Sequence, residues 1–189
     1  MLTINTRIGH ILMTQKDYEG ALNKYKFIFD SGKLNLRNKN LAHICVADAY
    51  YSLKDDRAIE IYEYIINNQY SDDYDVKYIC ERVCSFYMNK KDFKSTIKIL
   101  HKGIKLITTP DGNILNSIGF AYEMSGNFDL AFKYYLLASE ENNSYANLNL
   151  GYLYENVEKD NDKAFIYYEK GKGCLEEWKM AREKFSNYD

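Results

Sequence analysis

The residue types able to do chemistry are few in this chain, and they are scattered. Cys80 and Cys84 lie one helical turn apart, a spacing that puts two thiolates on one helix face for a metal ion; no second cysteine pair or histidine pair completes a tetrahedral site. Cys45 and Cys174 stand alone, so all four cysteines are expected to be reduced thiols packed as small hydrophobic groups. His10, His43 and His101 are far apart in sequence, and none neighbours a plausible nucleophile. The "GKG" at 171–173 lacks the upstream glycine of a phosphate loop, and no serine has the glycine flanks of a nucleophile elbow. The acidic runs "DDYD" at 72–75 and "EKDNDK" at 158–163 lack the spacing and central glycine of a calcium loop. Adjacent carboxylates such as Glu140–Glu141 and Glu176–Glu177 diverge on a helix instead of converging on a substrate. The expectation is a protein without catalytic residues, cofactor or metal.

Bulk properties point the same way. A length of 189 residues with 46% hydrophobic and 28% charged residues suits a soluble chain with a sizeable core. Net charge is −2, too little positive field to hold a phosphate backbone, so no nucleic-acid partner is expected. The first twenty residues, "MLTINTRIGHILMTQKDYEG", contain no basic leader and no long apolar run, which predicts a cytoplasmic protein with no membrane span. A single proline favours helix over turn-rich sheet. The 19 tyrosines suit helix faces that bury a ring and keep a hydroxyl wet.

The elements that must position any site emerge from a repeat. In "SIGFAYEMSGNFDLAFKYY", 117–135, an apolar–small pair (Ile118, Gly119) leads to Tyr122, a turn, Phe128, Ala131 and Tyr135. The first small position recurs at 9, 47, 84, 119 and 151, and the second at 21, 58, 96, 131 and 164, with repeat lengths of 32 to 38 residues. Each half has apolar residues at helical spacing, so each repeat reads as two antiparallel amphipathic helices. Small residues allow close crossing, and Gly119 is expected to face Ala131 across the pair. Asp17, Asp55, Asp92, Asn127 and Asp160 occupy equivalent places ahead of the second helices, where a short side-chain oxygen caps the exposed amides. Repeat 2 is one residue short in its turn, and repeat 5 has one extra.

These residues resemble the tetratricopeptide repeat. The fourth repeat carries the likeness best, through Ile118, Gly119, Tyr122, Gly126, Asn127, Phe128, Ala131, Tyr135 and Ala138. The last, with Ala146, Leu150, Gly151, Tyr154, Asp162, Lys163, Ala164, Tyr167 and Tyr168, is more similar to a Sel1-like repeat. The resemblance spans about residues 3–172. It departs from the family at the early tryptophan position, held here by Asn5, Cys80, Leu115 and Asn147, and in the closing proline, missing from most repeats.

The resemblance implies an all-α fold: a right-handed α-solenoid of about five antiparallel helix pairs over 1–174, followed by a C-terminal capping helix over 175–189. In "CLEEWKMAREKFSNYD" the cap would bury Leu175, Trp178, Ala181 and Phe185. Alternatively Trp178, the only tryptophan, anchors a partner or a second copy.

Carried over from the family, the inward positions form a concave groove that includes His10, Met13, Tyr51, Tyr78, Glu81, Met88, Asn116, Phe120, Glu123, Tyr152 and Glu155. Its aromatics and methionines are adaptable apolar surface, and its glutamates make it mildly acidic. No lysine or arginine falls on the carried-over positions, which disfavours a terminal carboxylate as ligand and favours a basic or apolar peptide or helix of another protein. Several of these aromatics can equally serve packing between repeats. Two roles fit: an adaptor or chaperone, for which the Asn-, Lys-, Ile- and Tyr-rich composition is compatible with an AT-rich bacterial genome, or an immunity-type inhibitor that covers a toxin.

Overall fold

Four of the five expected cap residues stand at the N-cap of their helix and Asp55 lies one residue ahead of its N-cap, Asp56, yet all five accept first-turn amides. Gly20 N–H donates to Asp17 at 2.9 Å, Arg57 N–H to Asp55 at 3.0 Å, Ser95 N–H to Asp92 at 3.0 Å, Leu130 N–H to Asn127 at 3.2 Å and Lys163 N–H to Asp160 at 3.0 Å. Behind these caps run the helices of a computed structural model that describes residues 2–30, 36–68, 72–109 and 111–186.

Their order is α1 (Leu2–Thr14), α2 (Tyr18–Asp30), α3 (Leu36–Ser52), α4 (Arg57–Asn67), α5 (Asp73–Asn89), α6 (Phe93–Leu106), α7 (Gly112–Met124), α8 (Phe128–Glu140), α9 (Ser144–Leu153), α10 (Asn161–Gly171) and α11 (Leu175–Ser186). No strand occurs among the described residues. The fold class is the one expected, all-α helix pairs followed by a C-terminal helix. The chain forms two compact units, 1–86 and 87–189, and the division falls within α5.

In the first unit α1 packs on α2, α2 on α3, and α3 on α4. Ala21, Tyr25, Ala47, Ala49, Tyr62, Ile79 and Val83 are buried there. In the second unit α6 packs on α7, α7 on α8, α8 on α9, and α9 on α10. One cluster of Leu115, Ala131, Tyr135, Ala138, Ala146, Leu150 and Leu153 forms its centre.

Lys16, Lys54, Lys91, Gly126 and Lys159 each immediately precede one of these five acceptors, and all five have left-handed backbone, with φ of 62°, 58°, 56°, 79° and 59°. The extra residue of repeat 5 is absorbed as a π-helical turn, Tyr154–Glu158, which carries the chain from α9 to the next cap. A single inserted residue in an α-helix takes this form because it lengthens one hydrogen-bonded ring instead of breaking the ladder.

Candidate partner-binding face

The face under scrutiny belongs to the first helix of each pair, and tyrosines of the second helix shape it from beneath. The residue four positions after the second small residue is Tyr25, Tyr62, Tyr135 or Tyr168, and Leu100 in repeat 3. A β-carbon added at Gly119 would lie 2.6 Å from Tyr135 Cδ1, and one at Gly151 2.7 Å from Tyr168 Cδ1; Gly9 meets the Tyr25 ring in the same way. Gly119 is therefore small to admit the Tyr135 ring, one turn beyond Ala131 on α8. A flat ring needs more clearance than an alanine methyl group, so the glycine follows the aromatic.

Three of these rings, those of Tyr62, Tyr135 and Tyr168, deliver their hydroxyls to a carboxylate on the first helix or the turn that ends it. Tyr135 Oη donates to Glu123 Oε2 at 2.6 Å, Tyr168 Oη donates to Glu155 Oε2 at 2.7 Å, and Tyr62 Oη donates to Asp48 Oδ1. Asp48 also receives Tyr78 Oη at 2.7 Å. Burial first, then the adjacent carboxylate, raises the pKa of Tyr62, Tyr135 and Tyr168 far above the usual phenol value; Tyr78 is pushed up to about 12 by burial and by Asp48. These tyrosines stay protonated donors, and the acids on this face are held in place by them.

In the first unit the expected residues gather loosely. Tyr51 and Tyr78 flank Arg82, whose guanidinium lies 5.2 Å and 5.0 Å from their ring centroids. His10 is exposed, edge-on to Tyr25, with Nε2 3.6 Å from Cys45 Sγ. Met13 is half-buried and Glu81 exposed.

In the second unit Met88 is buried at 5% exposure and gives a ligand no surface. Phe120 and Tyr152 pack against the core cluster from outside. Asn116 accepts from Asn149 Nδ2 at 2.9 Å. Glu155 is exposed and carries Tyr168.

Glu123 is the centre of this second set. It is 5% exposed and is bridged by Arg182 of α11. Arg182 Nη2 donates to Glu123 Oε1, and Nη1 donates to Glu123 Oε2 at 3.3 Å and to Asn149 Oδ1 at 3.2 Å. The guanidinium carbon lies 3.7 Å from the Tyr152 ring centroid, 5.3 Å from that of Trp178 and 6.0 Å from that of Phe120. Trp178 Nε1 donates to Asn149 Oδ1 at 2.7 Å, and its ring meets Tyr152 and Tyr168 edge-on at 6.3 Å each. Burial alone would lower the pKa of Arg182; the hydrogen bonds and charge of Glu123 outweigh it, and the net shift is upward. Removing either partner of such a pair leaves an uncompensated buried charge, at a cost of about 3–5 kcal/mol.

Two expectations about α11 change here. Its buried face runs through Trp178 and Arg182, one turn apart, while Ala181 is exposed; the Phe185 side chain lies outside the described residues. Trp178, at 8% exposure, is enclosed by its own chain and is not an open anchor. The face is also not free of cations: Arg82 and Arg182 both enter it, from positions that the family pattern does not mark. Among the described residues no three His, Cys, Asp or Glu side chains group to hold a metal ion. Among those residues no helix is long and apolar enough to cross a membrane.

No family model and no curated protein matches the chain. Solved structures do. A crystal structure of MamA protein aligns with a TM-score of 0.68 at 22% identity, covering 96% of this chain and 94% of that one. A MamA RS-1 double mutant aligns at 0.70 and 14% identity, covering 97% of each chain. A MamA 41-end form from Desulfovibrio magneticus RS-1 aligns at 0.69 and 14% identity, covering 93% and 96%. At such identities the likeness is one of architecture, and with the repeat described above it makes this an all-α helical-repeat fold of tetratricopeptide type.

Proposed function

We propose that the chain is a non-enzymatic protein-binding module that takes a peptide or helix of a partner against the first-helix face, with Asn116, Phe120, Tyr152 and Glu155 as contacts in the second unit and Glu123, at 5% exposure, reached only when Arg182 leaves it. The observation that carries this reading is the buried Glu123 carboxylate, paired with an arginine 59 positions away in the chain whose guanidinium lies against the Tyr152 and Phe120 rings. A carboxylate, an amide oxygen and an aromatic face together form a receptor for a planar cation. Tyr51, Tyr78 and Arg82 offer a second, weaker contact set in the first unit.

The finer role proposed is that of a cytoplasmic adaptor or chaperone, with an immunity-type inhibitor as the second reading. Affinity capture from the native cell, read by mass spectrometry, tests the module. Phe120→Ala/Tyr152→Ala, checked for folding by circular dichroism, is expected to lose the partner that the wild type retains. A partner held equally by both proteins refutes the assignment of this face. Several unfolded clients indicate the chaperone; one enzyme retained stoichiometrically and silenced indicates the inhibitor.

A further inference from the structure

We infer that α11 is a resident, displaceable ligand of the Glu123 site, and that the partner segment which displaces it presents an arginine one helical turn after an aromatic residue. The inference rests on the reading of this face as a binding surface, and it names the partner's chemistry and the device that controls access.

Three features carry it. First, α11 is held by two side chains spaced i, i+4. Trp178 and Arg182 turn inward to Asn149, Tyr152 and Glu123, whereas Glu176, Glu177, Lys179, Met180, Ala181 and Glu183 are exposed, Met180 at 63%. A twelve-residue helix is marginal by itself, so these two anchors hold most of it in place.

Second, the receptor is more specific than a cap requires. Covering the end of a helical array needs only apolar contact. Here a carboxylate at 5% exposure, an amide oxygen and the Tyr152 face meet one guanidinium, and Asn149 Oδ1 is shared by Arg182 and Trp178 at 3.2 and 2.7 Å. Arginine satisfies that planar arrangement and lysine does not.

Third, leaving Glu123 without a cation is costly, so the site exchanges one arginine for another and does not stand open. α11 departs only when an incoming segment supplies the same group. The stretch connecting it to α10 is a single 3-10 turn, Lys172–Cys174, in which Lys172 and Gly173 are exposed and a β-carbon at Gly173 would meet nothing within 4 Å.

The test uses the full chain and a fluorescent peptide with the sequence of residues 175–186. The peptide is expected to bind Trp178→Ala/Arg182→Ala at least about tenfold tighter than wild type, because a resident α11 reduces the apparent affinity by the fraction of chains whose site it leaves vacant. A peptide with alanine or lysine in place of the arginine is expected to lose that binding. Equal affinity for both proteins, or equal binding of the arginine-free peptide, overturns the inference.

If the vacated variant does not fold, a protease site inserted between Lys172 and Gly173 of the otherwise wild-type chain replaces it. The cut helix is then expected to stay bound and to exchange with excess labelled peptide; no exchange overturns the inference. A wild-type dimer that Arg182→Ala abolishes assigns the site to a second copy and also overturns it. A captured partner that binds wild type and vacated variant equally, yet is lost in Phe120→Ala/Tyr152→Ala, overturns displacement and leaves the binding face standing.

Discussion

Gly119→Ala sets two physical effects against each other. Helix propensity favours alanine over glycine in a helix interior by about 1 kcal/mol. Geometry opposes it: the new methyl carbon would sit 2.6 Å from Tyr135 Cδ1, 2.7 Å from Cε1 and 3.1 Å from Cγ. Comfortable carbon contacts lie near 3.5–4.0 Å, so the ring must retreat by roughly 1 Å. It has little room, since Tyr135 is fully buried and its hydroxyl is tied to Glu123, which is tied to Arg182.

Overpacking of this kind costs about 1–3 kcal/mol. With the helical gain subtracted and the tethered ring placed at the upper end, the net loss is about 1–2 kcal/mol. For a chain of this size that lowers the thermal midpoint by roughly 2–8 °C. Thermal and urea unfolding followed by far-ultraviolet circular dichroism measure it. Gly173→Ala, in open space, is the control and stays within about 0.5 kcal/mol of wild type. Repeat 3 places Leu100 where the others place tyrosine. Tyr135→Leu is accordingly expected to offset part of the Gly119→Ala loss, with a coupling of at least about 0.5 kcal/mol. A Gly119→Ala protein that melts above wild type would show propensity winning and would refute the ring-over-glycine packing.

Tyr62, Tyr135 and Tyr168 have pKa values raised in the folded state, so their stabilising contribution is complete below the ordinary phenol value near 10 and is lost as pH rises above it. An ultraviolet titration is expected to show these phenols ionising together with unfolding, ahead of which only exposed tyrosines respond. Asn127→Ala removes the cap on Leu130 N–H and is expected to cost about 1 kcal/mol in urea unfolding. Cys45, buried and with its thiol pushed up to about 12 by burial and by Asp48, is expected to resist iodoacetamide in the folded protein and to react in urea.

Much of the architecture is legible in the residue pattern. Caps such as Asp92 and Asn127 act where their spacing puts them, because capping is local and depends on one oxygen and the next turn. The extra residue of repeat 5 is visible as a thirteen-residue gap between Gly151 and Ala164, although its π-helical form is not. That the Tyr135 ring fills the space over Gly119 is not legible, because periodicity gives the inward face of a helix but not how far a neighbouring ring reaches across it. Arg182 is missed for a different reason: an amphipathic pattern assigns arginine to the wet side, and only its distant counter-charge reverses that. A carboxylate at Glu123 on a face otherwise packed against core is the available hint, since a buried acid requires a donor from somewhere.

The left-handed residue ahead of each cap bears on how such a chain diversifies. Lysine fills it in four of five connectors, although a β-carbon disfavours that backbone form by about 1–2 kcal/mol and glycine adopts it freely. Those connectors are thus not what closes the hairpins; the apolar interface between the paired helices, ring-lined in four of the five repeats, does. A link under no obligation to be optimal can mutate, shrink as before Arg57 or grow as after Leu153, while the module it joins keeps its shape. Repeats can therefore drift in length from 32 to 38 residues and still be shuffled, duplicated or lost as intact pieces.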